Sequence, residues 1–222
     1  MAANRFDQVT AIIPEAHLAF VADAHQRLFS ALDGLTDAQV RAPSPLPGWT
    51  VGHVLSHLAR NADSHVRRTE AAARDEVVDQ YAGGQAGRAA DIEAGAAGRA
   101  DQLVADVRRS GLAAEQAWRD VPPAAWSRIT RDGDGRERPL FELPSRRWQE
   151  VEVHLVDLGL GPTPRDWPDA FVIEWLPRTR ERMHASLPPE SRTLRWESPA
   201  DELAWFYGRL HRDDAPDPPA WG

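Results

Sequence analysis

The chain has 222 residues, of which 42% are hydrophobic and 27% charged, and its formal net charge is −8. That length suits one large domain, or one domain with a small annex, and an acidic chain with no basic block longer than a pair argues against a nucleic-acid footprint. No apolar run approaches the roughly 18 residues of a membrane span, and a start that carries acid early without an apolar core reads as cytoplasmic. There is no cysteine, which excludes disulfides, thiolate metal sites and a protein-borne thiol nucleophile. There is no lysine either: all 26 basic residues are arginine, the imprint of GC-rich coding such as that of an actinobacterial genome.

In chain order, residues 14–33 predict a first helix, with Pro14 at its start, Gly34 just past its end, and Leu18, Val21, Leu28 and Leu32 on one stripe. The proline-dense stretch 36–49 reads as a loop, and Thr50 is the expected N-cap of a second helix running to about Asp79. The glycine-rich run 81–98 reads as too small and polar to form core. A third helix is predicted over 99–119, and a hairpin or turn over 129–143 around Asp132-Gly133-Asp134-Gly135. Pro144 opens a fourth helix that Gly159 closes. Beyond Gly161 the pattern gives a helix near 169–186, a short strand at Thr193–Trp196, a helix near 200–210 and a tail. The predicted fold is therefore mainly α, a four-helix bundle over residues 1–160 with a small C-terminal α/β annex over 161–222.

Two helices carry the chemistry. On the second, Val51, Val54, Leu55 and Leu58 cluster at 100° per residue and set the inward direction; His57 projects roughly 110° from it and His53 roughly 150°. On this helix alone, a pair of surface histidines is the plainer reading. The fourth helix is apolar nearly all round, yet Glu150, His154 and Asp157 share an arc about 60° wide. Glu and His at i, i+4 can converge on one point, and buried charge there needs a partner. A Glu–His or Glu–Arg pair would satisfy it, but metal ligation explains more, since bundles build metal sites from inward side chains on facing helices. Three N/O ligands, His57, Glu150 and His154, leave an open position of the kind catalytic zinc keeps, although the same donors accept other divalent ions. Asp157 reads as a group that orients a ligand. Arg147, beside the arc, pairs with Glu150 or a substrate carboxylate, or else is a solvated surface charge.

The segments RAPSPLPGWTVGHVLSHLARNADSHV (41–66), ADIEAGAAGRADQLVADVRRS (90–110) and LPSRRWQEVEVHLVDLGLGPTPRDWP (143–168), with LAWFYGRL (203–210) and the closing PPAWG, resemble the mycothiol-dependent maleylpyruvate isomerases of the DinB-like metal-binding bundle superfamily. The resemblance implies a metal held by His57, Glu150 and His154, zinc as that metal, and mycothiol as the thiol cofactor. Family isomerases carry a small α/β domain with several strands before the last helix, and here that region is shortened; Arg209 matches the arginine that implies a substrate-carboxylate anchor. The function so implied is a zinc-dependent enzyme that activates mycothiol for addition to an electrophilic small molecule, as a cis–trans isomerase or a thiol S-transferase. The alternatives are a non-catalytic module that binds metal or thiol conjugates, and a metal-dependent hydrolase. A monomer or homodimer is expected.

Overall fold

The computed structural model describes residues 13–184 and 186–218, so most of the start and the last residues of the tail lie outside it. The chain divides into two compact units, Met1–Gly159 and Leu160–Gly222. In the first, α1 (Glu15–Ala31), α3 (Val51–Ala73), α5 (Ala100–Asp120) and α6 (Leu143–Asp157) form a four-helix bundle. Helix α3 packs on α5 and α6, and α1 on the same two, which closes the ring. The apolar stripes that define these helices meet inside it: Val21, Leu28, Leu55, Leu58, Val107, Trp118, Trp148 and Val151 are all buried. No helix among the described residues is long and apolar enough to cross a membrane.

Capping sets where α3 begins. The Thr50 hydroxyl accepts from the His53 backbone N–H, and His53 Nδ1 accepts from the Thr50 backbone N–H at 3.1 Å. That is a capping box with histidine in the place usually held by Glu or Gln. The far end comes at Ala73, six residues before the expected Asp79. Asp75 adopts φ 64°, and the Glu76 N–H returns to the Ala71 carbonyl, which satisfies the helix end and stops it. Arg128 donates to the freed carbonyls of Ala72 and Ala73.

Two further short helices form, one where a loop was expected and one in the glycine-rich run. Helix α2 (Asp37–Arg41) is set by a Thr36–Gln39 capping box. Helix α4 (Gly84–Ala96) occupies the glycine-rich run and buries only Ile92 fully. It lacks a stripe of its own because its contact with α3 is backbone-close. A Cβ on Gly95 would lie 2.2 Å from Ser56 Oγ, and one on Gly52 would lie 2.7 Å from the Ala96 carbonyl oxygen. Gly52→Ala is therefore expected to push α4 away from α3 and to cost about 1–3 kcal/mol, read as a lower midpoint in denaturant; an unchanged midpoint would show that the seam has slack.

The hairpin predicted around residues 132–135 is formed by β1 (Ile129–Arg131) and β2 (Glu137–Pro139), paired antiparallel with Thr130 opposite Arg138. In the second unit, α7 (Asp169–His184) packs on α8 (Pro199–Phe206). Arg180 donates to Glu202, and Arg165 to Asp201 at 2.9 Å. The strand expected at Thr193–Trp196 is not there: Pro189–Thr193 is a 3-10 turn and the residues after it are irregular. A lone extended segment has no ladder to join, and the one sheet among the described residues is the hairpin of the first unit. Helix α8 stops at Phe206 rather than near residue 210, because Gly208 turns the chain at φ 71°.

Candidate metal centre

Helices α3 and α6 bring His57, Glu150 and His154 together. One ligand-type atom from each lies within 4.8 Å of the others, and among the described residues no other group of His, Asp and Glu converges in this way. His57 Nε2 is 2.9 Å from Glu150 Oε2, His154 Nε2 is 3.5 Å from the same oxygen, and the two imidazole rings meet edge to face at 4.6 Å. Glu150 and His154 share a face because they are one turn apart. The intervening Glu152 points elsewhere and accepts from Trp148 Nε1 and from Arg27 on α1. His57 is only 2% exposed, deeper than its angle from the apolar stripe suggests, since α4 covers it. The opening is on the side of Glu150, whose side chain is 27% exposed.

The environment sets distinct charge states. Burial, reinforced by the neighbouring His154, lowers the His57 pKa to about 4, so this imidazole is neutral at pH 7. Burial opposes charge on His154 as well, but hydrogen bonds to Asp157 and Glu150 outweigh it and raise its pKa. Glu150 is held well below the usual carboxylate range: burial disfavours its ionisation, and hydrogen bonds from both histidines overcome that. Asp157 sits 2.8 Å from His154 Nδ1, which leaves Nε2 facing Glu150. A carboxylate on the outer nitrogen fixes the tautomer and ring orientation of a ligand histidine.

His53 and Arg147, also singled out in the sequence, stand apart from the cluster. His53 does not reach the cluster: Nδ1 belongs to the capping box and Nε2 lies 3.1 Å from Glu93 on α4. Arg147 neither pairs with Glu150 nor faces solvent. It is fully buried, donating to the Leu58 carbonyl at 2.8 Å, Asn61 Oδ1 at 3.0 Å and His25 Nε2 at 3.1 Å. Its position follows from the helix wheel: three residues before Glu150 it faces the α1–α3 side of the bundle. Burial lowers its pKa to about 10, so it stays charged. Arg209 lies in the second unit, just past α8, where its guanidinium donates to the Tyr207 carbonyl.

Sequence reasoning missed Arg88. It comes from α4 and its Nη2 lies 3.3 Å from His57 Nδ1, with the guanidinium over the Tyr81 ring. The one available signal was that AGGQAGRAADIEAG holds helix-compatible residues around a single large apolar one, Ile92.

A helical bundle that gathers two imidazoles and a carboxylate from facing helices at a partly open edge defines a class of bundle with a candidate metal centre. Residues 21–159 match the mycothiol maleylpyruvate isomerase N-terminal domain, and the chain belongs to that family. Its fold is the mainly α, DinB-like one. It is similar to the crystal structure of the mycothiol-dependent maleylpyruvate isomerase, with 24% identity and a TM-score of 0.83 over 95% of this chain and 98% of that chain. A histidine-to-alanine mutant of that isomerase matches at 23% identity with the same score and coverage. At these identities the likeness is one of fold. No curated protein sequence matches significantly.

Proposed function

We propose that this chain is a metal-dependent enzyme that activates mycothiol for addition to an electrophilic small molecule, with His57, Glu150 and His154 holding the ion. The observation that carries this reading is the convergence of the three donors at a partly exposed edge. The donor set fits zinc: tetrahedral coordination at about 2.0–2.2 Å places ligand atoms roughly 3.3–3.6 Å apart, and the 2.9 and 3.5 Å separations lie close to that. Family membership supports mycothiol as the thiol, and the absence of cysteine requires that any sulfur nucleophile come from outside the chain.

A bound divalent ion would lower the pKa of a thiol at its open position and so supply a thiolate at neutral pH. The chain's own residues prepare for this. His57 is kept neutral by burial and Glu150 ionised by its two histidine partners, so both present lone pairs. Asp157 holds His154 with Nε2 inward. Reversible addition of the thiol to an activated double bond, followed by rotation and loss of thiol, gives cis–trans isomerisation; retention of the adduct gives S-transfer.

Elemental analysis is expected to find about one zinc-class ion per chain. Turnover of electrophiles such as maleylpyruvate should require mycothiol, cease after chelation and return with zinc. Turnover without any thiol would overturn the reading in favour of hydrolysis; bound metal with no turnover would favour a binding module.

A further inference from the structure

We propose that Arg88 is the carboxylate anchor of this site, the group that receives the anionic end of the electrophile. The inference rests on the metal-site reading above and adds to it the residue that would receive a carboxylate of the electrophile.

The chain is rich in arginine–carboxylate pairs, such as Arg60 with Asp106 and Arg138 with Asp132. Arg88 has no carboxylate partner among the described residues. Its contacts are the edge of the neutral His57 imidazole and the face of Tyr81. Both are weak partners for a guanidinium, which binds a carboxylate through strong, often bidentate, charge-assisted hydrogen bonds. A ligand carboxylate would thus gain a cation without breaking an ion pair. Arg88 is also half-exposed and in contact with a metal-ligand candidate, so its guanidinium is open to an anion while it stands one imidazole away from Glu150.

Of the arginines that the sequence offered for this task, Arg147 is sealed in the core with three hydrogen bonds. The close seam at Gly52 and Gly95 is what lets α4 approach α3 enough for the Arg88 side chain to reach His57.

A bound ion would reinforce the assignment. An imidazole that gives Nε2 to a metal carries its hydrogen on Nδ1, so His57 would then offer Arg88 no lone pair and the guanidinium would be open to an anion.

The test is calorimetric and needs no turnover. Zinc is titrated into the wild-type protein and the Arg88→Met variant, and maleate, an unactivated cis-dicarboxylate, is then titrated into each zinc-loaded protein without thiol. We expect zinc affinity to be unchanged or higher in Arg88→Met, and maleate affinity to fall at least about tenfold. Arg88→Lys should lie between, and the uncharged maleamide should not distinguish the three. Equal maleate affinity in wild type and Arg88→Met, no maleate binding by wild type, or loss of zinc from Arg88→Met would each overturn the proposal. Should wild type itself take up no zinc, the metal reading fails separately, and the same maleate comparison on the metal-free proteins decides Arg88.

Discussion

Alanine in place of His57 is expected to abolish stoichiometric zinc binding and thiol-dependent turnover, whereas alanine at His53 should leave zinc content near that of the wild type. The two histidines are one turn apart on the same helix, and their surroundings separate them. His57 Nε2 lies 2.9 Å from Glu150 in a buried setting with His154 beside it. His53 spends Nδ1 on closing the first turn of α3 and Nε2 on Glu93. Loss of an outer partner of a ligand already costs about 10–100-fold in metal affinity, and loss of one of three protein ligands should cost more. His53→Ala should instead cost about 1 kcal/mol of stability through the broken capping box. Elemental analysis and a denaturation curve on both variants read the two effects separately. Equal zinc loss in the two would mean that the wrong histidine has been assigned.

Arg147→Met should destabilise the bundle by about 3–5 kcal/mol, since three buried acceptors lose their donor at about 1–3 kcal/mol each. The substitution leaves the Leu58 carbonyl, Asn61 Oδ1 and His25 Nε2 without their donor in the core, and buried acceptors without a partner carry the full desolvation cost. The network reaches further: His25 Nδ1 lies 2.7 Å from Glu115 on α5, so four helices meet through one guanidinium. A melting temperature lower by on the order of 10 °C is expected. A loss below about 1 kcal/mol would show that the core repacks around a methionine at little cost. Because the Leu58 carbonyl is adjacent to His57, weaker zinc binding should accompany the loss of stability.

The helices that carry His57, Glu150 and His154 were legible because their signals are local. Helical periodicity exposes Glu150 and His154 as polar positions one turn apart on an apolar helix, and Thr50 marks where α3 begins. What the sequence concealed depends on contacts between distant segments. The burial of His57 follows from α4, and α4 docks through glycines whose role is to be absent as side chains, which no stripe announces. The inward turn of Arg147 could be placed on the wheel, but its acceptors lie on α1 and α3. Arginine looks the same in sequence whether it ends in solvent or in a core. The strand at Thr193–Trp196 failed for a related reason: β-prone residues need a neighbour to pair with, and none is on offer among the described residues.

Helix α4 holds a large share of the site's surroundings on very little of the protein's interior. Ile92 is its one fully buried side chain, and its seam with α3 depends on residues with almost no side chain. Most of its remaining positions answer to no packing constraint in the bundle. The candidate ligands and the wall beside them are thus under separate rule. The first are written into two core helices where nearly every change is costly, the second into a thirteen-residue segment that can drift. On the proposed function, a lineage would exchange one electrophile for another by rewriting α4 alone, while the three donors stay as they are.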